Sequence, residues 1–224
     1  MLFRHTILAF SLFITACSGT TRPTESEIGY LAKSDIDTVA DIHLKVTDQH
    51  LKELAYKLYR RNPRHCDGGT PKIEQCVKAV FDRRNHPKLL SKNSIENIKL
   101  SLNDDFAGDR VATFVAGLRS MIHNAYSNKT EFFFFDELDP QKLYNSARNI
   151  EIAVWRLSNA RDNKGQILLI TNSIDTTVAN LSFERLFGKL VSTQDTIAKI
   201  IAESSRRRIK NIIQRLATAV FLPI

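Results

Sequence analysis

Asp139-Pro140-Gln141-Lys142-Leu143-Tyr144-Asn145-Ser146-Ala147-Arg148-Asn149-Ile150-Glu151-Ile152-Ala153-Val154-Trp155-Arg156-Leu157 is the stretch whose pattern decides the fold class. Aspartate is a good N-cap, and proline is favoured in the first helical position, where its missing N–H costs nothing. Behind that start, Leu143, Ala147, Ile150, Val154 and Leu157 recur at spacings of four, three, four and three. Residues so spaced form one stripe along a helix, and the stripe needs another helix to cover it.

Working outward, the same signals repeat. Asp109 to Tyr126 carries Val111, Phe114, Val115, Leu118, Ile122 and Ala125 on one face, with Gly117 placed to allow a close helix contact. Asn93 or Ser94 starts a helix bearing Ile95, Ile98 and Leu102 that stops near Ala107-Gly108. Thr70-Pro71 opens one that buries Ile73, Val77, Val80 and Phe81. The first strong helix is expected from Asp48 to Arg61, with Thr47 as its cap, Leu51, Leu54, Ala55 and Leu58 inside, and Asn62-Pro63 as its end.

The last apolar series begins at Ser182, runs through Phe183, Leu186, Leu190, Ile197, Ile201, Ile212 and Leu216, and reaches Val220. An unbroken helix of that span would be roughly 58 Å long, so a break near Ser204-Ser205 is expected, with Gly188 a second weak point. Ile167-Leu168-Leu169-Ile170 could be a strand but has no obvious partner and reads as a buried connection. The expectation is an all-α bundle of about five to seven helices, forming one domain over residues 35–224 after a flexible tether.

Met1 to His5 is a short cationic lead, and Thr6 to Ile14 is mostly apolar but too short to span a bilayer. It is followed by Ile14-Thr15-Ala16-Cys17, which resembles the lipobox of bacterial lipoproteins. That resemblance implies removal of a signal peptide, residues 1–16, and acylation of Cys17 with palmitate-type chains. Residues 17–34 then form a lipidated polar tether. Two or three acyl chains hold firmly where one does not. Ser18 in place of aspartate implies passage to the outer membrane, with the body facing the periplasm.

Once Cys17 is acylated, Cys66 and Cys76 remain, an even number in an oxidising compartment, and a Cys66–Cys76 disulfide is expected. The rival is a metal site of His65, Cys66, Cys76 and His86, but that spacing matches no common zinc pattern. No cofactor is implied. Losing residues 1–16 removes Arg4 and no acidic residue, so the charge of +8 becomes 8 − 1 = +7 on 224 − 16 = 208 residues. The basic balance points to acidic envelope neighbours: a protein, or an anionic lipid contacted by Arg206, Arg207, Arg208 and Lys210. Smaller basic groups stand at Arg60, Arg61, Arg64 and at Arg83, Arg84. The location that the resemblance implies disfavours nucleic acid, and no nucleic-acid partner is expected.

Phe132, Phe133, Phe134 and Phe135 cannot all lie on one face of a regular element. They either plug the end of a bundle or meet a partner. Glu131, Asp136, Glu137 and Asp139 beside them could serve acid–base catalysis only if two were held together in a cleft. The histidines His43, His50, His65, His86 and His123 show no metal-hydrolase spacing and read as solvated, with Thr47 separating His43 from His50. Nucleophile elbows, phosphate-binding glycine loops and CxxC motifs are absent from the sequence.

Lys129-Thr130-Glu131 through Asp139-Pro140 to Arg148-Asn149 loosely resembles uncharacterised proteobacterial lipoproteins, a resemblance that carries no activity. The sequence thus predicts a lipid-anchored, non-catalytic structural or interaction module, for instance an accessory of a secretion or transport assembly. The alternatives are a wall- or lipid-active hydrolase using the Glu131–Asp139 carboxylates, and a carrier of lipid or lipopolysaccharide in an apolar cavity.

Overall fold

Ser34 and Asp37 start the helical body by satisfying each other's backbone: the Ser34 hydroxyl accepts from the Asp37 N–H at 3.3 Å and the Asp37 carboxylate from the Ser34 N–H at 2.8 Å. In the computed structural model, which describes residues 33–66, 69–82, 94–174, 179–206, 209 and 220–224, Lys33–Ile224 make one compact unit. It is an all-α bundle of six described α-helices. They are α1 Asp35–Arg61, α2 Gly69–Phe81, α3 Ser94–Ser101, α4 Arg110–Ala125, α5 Pro140–Asn159 and α6 Ser182–Ser205, with a 3-10 turn at Pro63–His65. A two-residue antiparallel pair, β1 Ser173–Ile174 with β2 Ala179–Asn180, precedes α6. Among the described residues no helix is long and apolar enough to cross a membrane.

Helix α4 is the core of the bundle. It is buried at 13 of its 16 residues, and a helix covered on that many sides must have neighbours around most of its circumference. α1, α2, α3 and α5 supply them, while α6 packs on α5 and α1. Gly117 is where α3 comes closest: a Cβ there would meet the Ser94 carbonyl oxygen and Ile98 Cγ1, each at 2.9 Å.

The expected start at Thr47 is wrong. α1 runs through it, and Thr47 is fully buried at the crossing with α6. Its hydroxyl donates to the His43 carbonyl one turn back, which satisfies it inside the helix, and accepts from Gln194 Nε2 at 3.0 Å. Gln194 in turn accepts from Ser146 Oγ at 3.1 Å, so three buried polar side chains tie α1, α5 and α6 together.

α3 also ends earlier than expected, at Ser101 rather than near Ala107-Gly108. The buried Arg110 guanidinium gathers the carbonyls of Ser101, Asn103 and Asp104, satisfying acceptors that a longer helix would have used itself. α2 begins at Gly69, so Thr70 lies inside it and is not its cap, while the remaining starts and stops agree with expectation. Asp109 and Asp139 cap α4 and α5, and α6 passes through Gly188 and stops at Ser205 with Arg206 in the left-handed conformation. Of the run expected to be a buried connection after α5, Leu168 and Leu169 are buried but Ile167 and Ile170 are exposed. The carboxyl-terminal residues return to α5, where Asn149 exchanges two hydrogen bonds with Leu222 and Asn145 donates to the Pro223 carbonyl.

Candidate contact site at an aromatic turn

After α4 the chain reverses through Ser127 and Asn128, both at positive φ, and the Asn128 N–H is taken by the His123 carbonyl at 2.8 Å. The four phenylalanines that follow then separate. Phe132 turns inward against Tyr126, ring centres 5.9 Å apart, and its N–H donates to Asp41 Oδ1 of α1 at 2.9 Å. Phe133 is half-buried beneath the Lys33 ammonium, 5.0 Å from its ring centre. Phe134 and Phe135 are 69% and 91% exposed and pack edge-on at 5.4 Å.

These last two occupy the centre of a β-turn, closed by the Asp136 N–H on the Phe133 carbonyl at 2.7 Å. The Asp136 side chain holds the turn from the other side, accepting from the Phe133 N–H at 3.1 Å and pairing with Lys129. Lys129 holds the Asp136 carboxyl below the usual carboxylate range. The exposed rings therefore ride on a braced turn.

Three of the neighbouring carboxylates are engaged separately. Glu131 pairs with Lys33 at 2.7 Å, Asp136 belongs to the turn and Asp139 caps α5. The pairing of acid and base that catalysis would need is not formed among Glu131, Asp136 and Asp139, because each is engaged with a different group.

Behind the turn lies a cleft of about 440 Å³ that sequence reasoning missed, lined by Asp41, Asp48, Lys52, His123 and Glu131 among others. Asp48 is the most tightly bound of these carboxylates. Arg119 donates to both carboxylate oxygens at 3.0 and 3.1 Å, and His123 Nε2 lies 3.0 Å from Oδ1. Burial alone would raise the Asp48 carboxyl, but the hydrogen bonds and charges of His123 and Arg119 outweigh it and bring it down to about 2.

His123 is thus not solvated as expected: it is 4% exposed. Nor does Thr47 part His43 from His50, since one helix carries both, and burial lowers the pKa of the half-buried His50. The signal that could have found the cleft is helical spacing, Arg119 to His123 on α4 and Asp41 to Asp48 on α1.

Cys66 and Cys76 are joined, their Cα atoms 6.5 Å apart, linking the turn after α1 to α2. Among the described residues no group of three or more His, Cys, Asp or Glu is placed to hold a metal ion. An apolar groove of about 780 Å³ lies between α1 and α2, with Tyr56, Val77 and Phe81 among its walls. Of the expected basic surface Arg206 is exposed, while Arg207, Arg208 and Lys210 lie outside the described residues, as do Cys17, Arg83, Arg84 and His86. Family models, curated proteins and solved structures give no match to this chain.

Proposed function

We propose that this chain is a lipid-anchored, non-catalytic protein of the bacterial outer membrane, held on the periplasmic face by acyl chains on Cys17. Its helical body acts as a contact module toward another envelope component. The lipobox-like Ile14-Thr15-Ala16-Cys17 supports the anchor. The observation that carries the contact role is the braced turn with Phe134 and Phe135 in the open. Exposed apolar groups cost solubility, and a turn that fixes two of them outward makes sense as a surface awaiting a neighbour. An accessory part of a secretion or transport assembly is a role that fits such a module.

Cys17→Ala tests the anchor. The variant should move from the membrane fraction to the soluble periplasmic fraction and lose incorporation of labelled palmitate; unchanged membrane association would overturn the reading.

A further inference from the structure

The turn Phe133–Asp136 has two properties that a solvent-facing turn does not need. Its central positions usually hold glycine, proline, asparagine, aspartate or serine. Here they hold Phe134 and Phe135, the two most exposed large hydrophobic side chains among the described residues. The turn is also fixed to the place where the chain enters the helical body. Lys33 pairs with Glu131 and covers Phe133, and Asp41 of α1 holds the Phe132 N–H. The aromatic tip and the amino-terminal lead of the body thus share one end of α1.

We infer that Phe134 and Phe135 rest in the interfacial layer of the bilayer that holds Cys17, and so fix how the body stands on the membrane. The inference rests on the anchoring reading. Cys17 is 33 − 17 = 16 residues before Lys33. Sixteen residues reach at most roughly 55 Å, so the covalent chain limits how far Lys33 can stand from the lipid. The 27 residues of α1 extend roughly 40 Å. The Lys33 end of α1 is thus the end tied directly to the anchor, and the Arg61 end follows a whole helix later.

Apolar rings gain by entering the boundary between headgroups and acyl chains. Packed edge-on, these two form one apolar knob at the tip of the turn. Lys33 and Lys129 flank the knob but are paired with carboxylates, so the rings and not net charge carry the contact.

The test uses the mature acylated protein in vesicles of phosphatidylethanolamine and phosphatidylglycerol. Trp155→Phe removes the single native indole, and Phe135→Trp places one at the tip. Blue-shifted emission is expected, with about twofold quenching by lipids brominated near the headgroup end of the chains. Emission typical of an indole in water, without quenching, overturns the inference. So does a photo-crosslinker at position 135 that captures one envelope protein in intact cells and no lipid. Phe134→Trp in the same background repeats the measurement if the first variant fails to give the native circular dichroism. The mass of the amino-terminal residue reads the anchor separately. An unacylated Cys17 removes the anchor and the inference with it, whereas an acylated Cys17 with an unquenched indole leaves the anchor and overturns the inference alone.

Discussion

From its amino-terminal end to its middle α1 is surrounded by charge: Lys33 between Asp41 and Glu131, then Asp48 between Arg119 and His123. At its carboxyl-terminal end the fastenings are mostly neutral or covalent. The Asn62 amide donates to the Leu58 and Ile170 carbonyls and accepts from the Ile170 N–H, all within 2.9 Å, and Cys66 is bonded to Cys76 just beyond. The two parts of one helix therefore answer to different solution conditions. Ion pairs weaken when a partner is neutralised, while amide pairs and a disulfide do not change charge in the mild acid range.

The sharpest way to break this contrast is at the covalent end. Replacing Cys66 and Cys76 together by serine, or adding reductant, should destabilise the protein by about 3 kcal/mol on the chain-entropy estimate for a loop of this size. Urea denaturation with and without reductant would measure it. The loss should be the same at pH 5 and pH 7, and a loss that grew with acidity would mean that the two parts are not independent.

Next in size is the charged stretch, at the middle of the helix. The Asp48 carboxyl has a pKa of about 2 in the fold against 3.8 for the free group. Its pKa is lowered by folding, so its contribution is present above about pH 4 and is lost as the pH falls toward 2. The shift corresponds to about 2 kcal/mol. Urea midpoints taken from pH 5 down to pH 2 should fall in the native protein and fall less steeply in Asp48→Asn. Equal slopes would mean that Asp48 contributes no stability through its charge.

What could be read from the sequence follows the distance over which each feature is decided. Asp139 was legible as a cap because it satisfies an N–H two residues ahead, and the α6 break at Ser204-Ser205 because no compact domain needs a helix so long. Gly117 was legible because a small residue inside an apolar helical series has few other uses. The disulfide followed from the count of cysteines and the compartment that the lipobox resemblance implies. Thr47 misled because the group that makes it a core residue, Gln194, is 147 residues away. His123 misled for the same reason, its partner Asp48 being 75 residues distant. The early end of α3 depended on a buried arginine from the next helix, which local pattern does not reveal.

The smallest expected effect falls on residues that look identical in sequence. Which of the four phenylalanines turns inward is decided by Asp41, 91 residues before the backbone it binds. Phe134→Ser with Phe135→Ser should change stability by no more than about 0.5 kcal/mol, since neither ring is shielded from water and serine suits the centre of a turn. Phe132→Ser, by contrast, removes a ring that is 1% exposed and puts a hydroxyl into its place, at a loss of about 3 kcal/mol or more. Thermal melts of the two variants side by side would read the split. A double variant that lost as much as Phe132→Ser would make the tip a plug of the bundle, and the outward rings would then need no neighbour to explain them.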